Sequence, residues 1–328
     1  MKDFTFVMLT YNQEQYVVEH LESIKYQIEH FGQNIKINFI LADDASNDKT
    51  AYKVKKWIES NQNLFFSVKF IIAVENRGIV SNVISALKNI ETEYYKILAG
   101  DDIYFRNNVF ELCSLKKDVV FTPLIRFNDE NILKNDAKWF HKELLLFQSK
   151  HCNVQKIILD SLGYSMNLES PGMFIKKSII NSSVYNFLIQ FRYIDDVPFI
   201  YSLLKENTLD VFISDKPYIL YRIQSGISTN KKHNKYAEFV NEHKLLNNMI
   251  FVKRKNNKYL NYFKYKYKLK EFLYKYNISN RYNKTIQSFI NNTKKEEKFA
   301  VEYLKLINKK ARNWEQKIFI KKENGNRY

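Results

Sequence analysis

The sequence predicts an α/β protein organised on a mostly parallel sheet. Short apolar runs alternate with stretches of helical periodicity over roughly the first hundred residues. Polar clusters stand at the carboxyl end of each early run. Seven glycines and four prolines in 328 residues favour long regular elements over turn-rich all-β architecture. With 45% hydrophobic and 16% aromatic residues, the chain can bury a sizeable core and make one large or two modest domains.

The run from Phe4 to Leu9 predicts a strand buried on both faces, and Tyr16, Val17, Leu21, Ile24 and Ile28 predict the apolar stripe of a helix. Ile35 to Leu41 predicts a second strand, followed by a helical face of Tyr52, Val54, Trp57 and Ile58. Val68 to Val74 is a third strand, Val80, Val83, Ile84 and Leu87 line a third helix, and Tyr95 to Leu98 is a fourth strand. A fifth strand, Asp118 to Thr122, precedes a less regular middle, and Gly172 to Ile175 predicts a strand returning to the sheet. The segment around Asp195, Asp196 and Pro198 enters a helix, with Asp196 as its cap and Pro198 in its first turn. Tyr218 to Arg222 closes this region, which places a boundary near residue 230 and divides the chain into 1–230 and 231–328.

In parallel sheets covered by helices, ligands gather outside the carboxyl ends of the strands. Four clusters fall at such ends: Thr10-Tyr11-Asn12, Asp43-Asp44, Glu75-Asn76-Arg77-Gly78 and Asp101-Asp102. No glycine occurs between Leu9 and Glu14, where a dinucleotide fold needs its backbone to approach a pyrophosphate, and no Gly-rich Lys-Ser/Thr loop is present. A Rossmann oxidoreductase and a P-loop ATPase are therefore disfavoured. Cys113 and Cys152 are too few for a disulfide framework or a zinc site. Without a leader or an apolar stretch of about 18 residues, the expectation is a protein in a reducing, cytoplasmic setting that does not span a bilayer.

Charge is unevenly spread. Residues 231–328 carry 26 Lys or Arg and 8 Glu, an excess of 18 positive charges, which leaves the first 230 residues at −1. Leu245, Leu246, Met249, Ile250 and Val252 begin a helical tail, and the stretch from Phe263 to Lys270 fits either a period-two strand or, with Leu260 and Tyr274, a helix, the preferred reading. Aromatic residues among lysines suit contact with an anionic membrane or a lipid-linked acceptor, the leading reading of this tail. Packing within the chain or in a homo-oligomer comes second, and nucleic acid, an unlikely partner, last.

Adjacent carboxylates in a half-buried setting repel unless a cation or hydrogen-bond network compensates them, so Asp101-Asp102 reads as a metal and polyol clamp, the alternative being a solvated turn. Tyr11 suits stacking on a base and Asp44 a hydrogen bond from a ring N–H. The plainer alternatives have Tyr11 packed on the helix and Asp44 capping the next one.

Thr10-Tyr11-Asn12, the run Asp43 to Thr50, Glu75 to Gly78 with Asn82, Leu98 to Asp102, Asp195-Asp196 and Tyr221-Arg222 occur in an order that resembles the family 2 glycosyltransferases of the GT-A fold, including bacterial capsule and O-antigen enzymes. The resemblance covers roughly residues 4–226. It implies a nucleotide-sugar donor at this edge, with Thr10, Tyr11 and Asn82 among the nucleotide-binding residues and Asp44 on uracil or thymine. It implies Asp101 near the ribose and Asp102 reaching a divalent cation, with Asp101 the second candidate ligand. Mn²⁺ or Mg²⁺ suits such oxygen ligands. Ala99 stands where the family often has an aspartate, which removes one potential ligand.

The same resemblance assigns the catalytic base to the Asp195-Asp196 pair, with Asp196 as base and Asp195 in support; a carboxylate within reach of the acceptor hydroxyl takes its proton. Glu169 to Met173 corresponds to the acceptor side, with Gly172 allowing close backbone approach, and Arg222 to a residue near the diphosphate. Gln224 replaces a frequent histidine and cannot supply its imidazole. His20, His30, His141 and His151 lack metal-ligand spacing, and Trp57 and Trp139 read as packing residues. The implied activity is inverting transfer of a hexose or N-acetylhexosamine from a UDP-sugar to a glycan or lipid-linked glycan in surface polysaccharide synthesis, peripheral at the inner face of the cell membrane. A nucleotidyltransferase and a basic nucleic-acid-binding protein are the rivals. A self-sufficient catalytic part would keep its turnover when residues 231–328 are removed.

Overall fold

The computed structural model describes residues 2–128, 131–133, 148, 153–162, 169–223, 235–252 and 280–325. Expectations for Trp139, His141, His151, Cys152, Gln224, Leu260, the run Phe263 to Lys270 and Tyr274 lie outside the described residues.

The first four strands are β1 (Asp3–Thr10), β2 (Lys36–Asp43), β3 (Ser67–Ile72) and β4 (Tyr95–Ala99). They pair in parallel in the order β3-β2-β1-β4. Between them run α1 (Val17–Phe31), α2 (Thr50–Ser60) and α3 (Ile79–Lys88). β1 is central and its side chains alternate between two cores. Phe4, Phe6 and Met8 pack with Leu21, Ile24 and Trp57 on one face, while Val7 and Leu9 pack with Val83 and Leu87 on the other. Trp57 is buried, as expected of a packing residue, and its indole N–H donates to Glu22 at 2.8 Å.

β5 (Ile103–Tyr104), α4 (Glu111–Ser114), β6 (Val119–Phe121), β7 (Leu124–Asn128) and β8 (Asn131–Ile132) follow. Then come α5 (Val154–Ser161), β9 (Met173–Ile175), α6 (Ser182–Leu188), α7 (Asp196–Glu206), β10 (Val211–Ile213) and β11 (Ile219–Arg222). Two small sheets, β10-β6-β9 and β5-β11-β7-β8, mix parallel and antiparallel pairs. The expected return of the 172–175 strand to the sheet is partial. β9 pairs with β6, and an isolated antiparallel bridge, Tyr94 to Lys176, lies just beside the ends of β4 and β9.

Two helices of the basic region are described, α8 (Tyr236–Val252) and α9 (Asn280–Gly325). Leu246 and Ile250 of α8 enter the core beside α3 and α7. Ala300, Tyr303, Leu304 and Ile307 of α9 form a third core with Ile103, Phe105, Ile125, Phe127 and Leu220. The Tyr303 hydroxyl donates to the Tyr104 carbonyl at 2.9 Å, and Lys53 of α2 pairs with Glu315 at 2.6 Å. Among the described residues no helix is long and apolar enough to cross a membrane.

Candidate active site

The loops after β1 and β2 are latched together. Thr10 donates its hydroxyl proton to Asp43 at 2.7 Å, and Asp43 also accepts from the Ser46 amide at 2.8 Å. The Asn12 amide donates to Ser46 Oγ, and the Asn47 amide to Asn12 Oδ1, each at 2.8 Å. Asn12 and Ala45 hold left-handed φ values of 51° and 61°, which costs a non-glycine residue on the order of 1 kcal/mol. The latch leaves Tyr11 45% exposed at the sheet edge, an open aromatic face, while Thr10 is buried. Asn82 is buried too, donating to the Ala42 carbonyl at 2.8 Å at the end of β2. Thr10 and Asn82 thus shape the edge from within.

Asp44 does not cap α2. One of its carboxylate oxygens accepts from the Arg77 amide at 2.9 Å and the other from the Gly78 amide at 2.8 Å. It therefore fixes the turn that starts α3. Gly78 sits at φ 90°, and a Cβ there would lie 2.5 Å from Arg192 Cγ and 2.6 Å from its carbonyl oxygen. The turn after β3 and the segment ahead of Asp195 are thus packed backbone against backbone.

Asp101 and Asp102 follow β4, and both are buried. Asp102 Oδ1 accepts from the Arg222 amide at 2.9 Å, whereas Asp102 Oδ2 has no hydrogen-bond partner among the described residues. Burial, with the Asp101 charge beside it, raises the Asp102 pKa well above the ordinary carboxylate range. Arg222 is buried, donates Nε–H to the Asp101 carbonyl at 2.9 Å, ion-pairs with Glu19 and lies over the rings of Tyr16 and Phe127. His20 Nδ1 is 2.8 Å from the Asp102 carbonyl, and burial pushes the imidazole down to about 4, so the neutral ring donates there. His20 and Glu19 carry no metal-like spacing, and their part in supporting the acidic pair is legible only in three dimensions.

Asp195 and Asp196 are half-buried at the start of α7. Asp195, not Asp196, is the N-cap residue, and Asp196 Oδ1 accepts from the Val197 amide at 2.7 Å. Pro198 lies in the first turn as expected. Burial raises both carboxyl pKa values, and the Asp196 charge adds to the rise at Asp195. Lys96, on β4, was not among the expected site residues, although an amine inside an apolar strand is a signal in its own right. Its buried ammonium donates to the carbonyls of Ser170 at 3.1 Å and Met173 at 2.7 Å, and feels the charges of both Asp102 and Asp195. The turn from Glu169 to Met173 is close-packed at Gly172, where a Cβ would meet the Thr122 carbonyl oxygen at 2.6 Å, and Glu169 pairs with Arg126 at 2.6 Å. Burial raises the Tyr221 phenol, and so do the charges of Asp102, Glu169, Asp101 and Asp196.

A parallel sheet with helices on both faces and acidic groups gathered beyond its strand ends defines an α/β protein of the nucleotide-sugar-binding GT-A class. The model of the family described as Glycosyl transferase family 2 matches residues 5–178, more than half of the chain, and the chain belongs to that family. A teichoic acid poly(glycerol phosphate) polymerase of Staphylococcus epidermidis is 30% identical over 102 residues, which are 31% of this chain and 13% of the polymerase. Among solved structures, S. aureus TarS 1-349 in complex with UDP-GlcNAc superposes with a TM-score of 0.52 at 17% identity, covering 76% of this chain and 66% of that one. A longer S. aureus TarS structure matches with a TM-score of 0.48 at 18% identity, covering 67% of this chain and 37% of the other. The chain spans less than two thirds of each of these relatives.

Proposed function

We propose that the protein is an inverting glycosyltransferase that moves a hexose or N-acetylhexosamine from a UDP-sugar to a hydroxyl of a glycan or lipid-linked glycan in cell-surface polymer synthesis. The observation that carries this reading is the buried Asp101-Asp102 pair at the end of β4, with Asp102 Oδ1 on the Arg222 amide and Asp102 Oδ2 without a partner among the described residues, in a member of glycosyl transferase family 2. The solved relative bound to UDP-GlcNAc and the teichoic acid polymerase support a UDP-sugar donor and a surface glycopolymer product.

Tyr11 offers its exposed ring to the base, and Asp44 keeps lone pairs on both oxygens for the uracil N–H. Asp102 Oδ2, buried beside Asp101 without a hydrogen-bond partner among the described residues, fits an oxygen-seeking cation. Mn²⁺ or Mg²⁺, held by Asp102 and Asp101 with phosphate oxygens completing the shell, would neutralise charge on the departing diphosphate. The Asp196 carboxylate accepts the acceptor hydroxyl proton, and Asp195 stands next to it in support. Residues 1–230 carry this chemistry in our reading, and the basic surface of residues 231–328 meets an anionic membrane or a lipid-linked acceptor.

The test is UDP release from UDP-glucose, UDP-galactose, UDP-N-acetylglucosamine and UDP-N-acetylgalactosamine with Mn²⁺ or Mg²⁺. Turnover of at least one is expected, with loss in Asp102→Asn and Asp196→Asn. Parental turnover in Asp102→Asn removes the assigned metal role, parental turnover in Asp196→Asn removes the assigned base, and silence with all four sugars overturns the UDP-sugar reading.

A further inference from the structure

The segment that delivers Asp195 and Asp196 is held from behind by a carboxylate of the basic region. Glu242, on α8, accepts from the Arg192 amide through Oε1 at 2.8 Å, and through Oε2 from the Tyr193 amide at 2.8 Å and the Ile194 amide at 3.2 Å. Three successive backbone N–H groups turned toward one anion form a nest, an arrangement that binds negative charge through fixed partial charges. α8 is anchored for this by Leu246 and Ile250, both 1% exposed. On its other side the same segment supports the turn after β3: the Val80 amide donates to the Arg192 carbonyl at 3.4 Å, Arg192 Nη2 donates to the Asn76 carbonyl at 3.1 Å, and Gly78 is pressed against Arg192.

We propose that Glu242 is a positioning residue of the transfer site, fixing through the 192–194 nest the backbone that presents Asp195 and Asp196. This rests on the reading of Asp196 as base. A base displaced by even about 1 Å from the acceptor hydroxyl loses on the order of a hundredfold in rate, so anchoring three amides ahead of it is a kinetic requirement as well as a structural one. It also makes α8 a working part of the site, although the sequence divides it from the catalytic motifs.

The experiment uses the full chain and the UDP-sugar that it turns over best. Glu242→Gln keeps the size of the side chain but presents an NH₂ to amides that need an acceptor, and Glu242→Asp keeps the charge. The expected result is a fall in kcat of about tenfold to a hundredfold in Glu242→Gln with donor KM within about twofold, and partial recovery in Glu242→Asp. Amide hydrogen exchange should accelerate at residues 192–194 in Glu242→Gln. Tyr303→Phe, which removes a hydrogen bond of α9 away from the nest, serves as the structural control, lowering Tm while folded enzyme keeps its kcat. Parental kcat and unchanged exchange at 192–194 in Glu242→Gln overturn the proposal, as does a loss of activity in Glu242→Gln that is fully accounted for by a lower Tm, with kcat per folded molecule unchanged as in Tyr303→Phe. Asp196→Asn measured in parallel separates the two ideas: parental turnover there removes the base assignment, whereas an inactive Asp196→Asn beside a fully active Glu242→Gln removes only the role of Glu242.

Discussion

Burying the Lys96 ammonium in β4 strips its hydration, and the carbonyls of Ser170 and Met173 replace only part of it, so its pKa falls to about 7. Between pH 7 and the ordinary lysine range the unfolded chain binds the proton that the folded chain has shed. Stability should therefore rise with pH across that window, by at most about 1.4 kcal/mol per pH unit. Urea denaturation of the parent and Lys96→Met at pH 7 and 9 should show this increment in the parent and its absence in the variant; equal slopes would refute it. Asp102 has the opposite sign. Its raised pKa means that the folded state holds a proton the unfolded state releases above about pH 4, so the parent should lose stability relative to Asp102→Asn as pH rises from there. The amide also keeps an oxygen for the Arg222 amide proton. Asp102→Asn should consequently unfold at a higher temperature than the parent at neutral pH, checked by calorimetry without added metal.

At the scale of elements, α3 depends on the turn that precedes it. Gly78 combines φ 90° with contact distances to Arg192 that no Cβ can occupy. Gly78→Ala should destabilise the protein by about 1–3 kcal/mol and weaken UDP binding, because Asp44 holds that same turn through the Arg77 and Gly78 amides. Thermal unfolding and UDP titration calorimetry measure the two effects. α9 shows a different dependence. Its Tyr303 hydroxyl satisfies the Tyr104 carbonyl within a core of Phe105, Ile125 and Phe127. Tyr303→Phe should cost roughly 1 kcal/mol in chemical denaturation with little change in turnover.

At the scale of the whole molecule, the two described basic helices complete cores that begin in the first 230 residues. α9 covers Ile103, Phe105, Ile125, Phe127 and Leu220, and removing it would return that apolar surface to water. We therefore predict that removing residues 231–328 costs turnover through loss of folding. A chain ending at residue 230 should aggregate or unfold at a lower temperature than the full chain, as read by size-exclusion chromatography and calorimetry; a monomeric fragment of parental Tm and turnover would contradict this.

The alternation of four strands and three helices is legible in the residue order, because side-chain period switches between 2 and 3.6 wherever one face is buried. The same order places Tyr11, Asp44, Asp101 and Asp102 at strand ends, since each cluster directly follows an apolar run. Which backbone groups the carboxylates meet is settled by the fold. Asp44 seats the turn at Arg77 and Gly78, Asp102 is half satisfied by Arg222, and Glu242 grips the segment ahead of Asp195. Lys96, His20 and Glu242 owe their place in the site to contacts of 74, 82 and 50 residues' separation. Local periodicity reports which face of an element is apolar, and it carries no record of the distant backbone groups that the buried polar side chains must find.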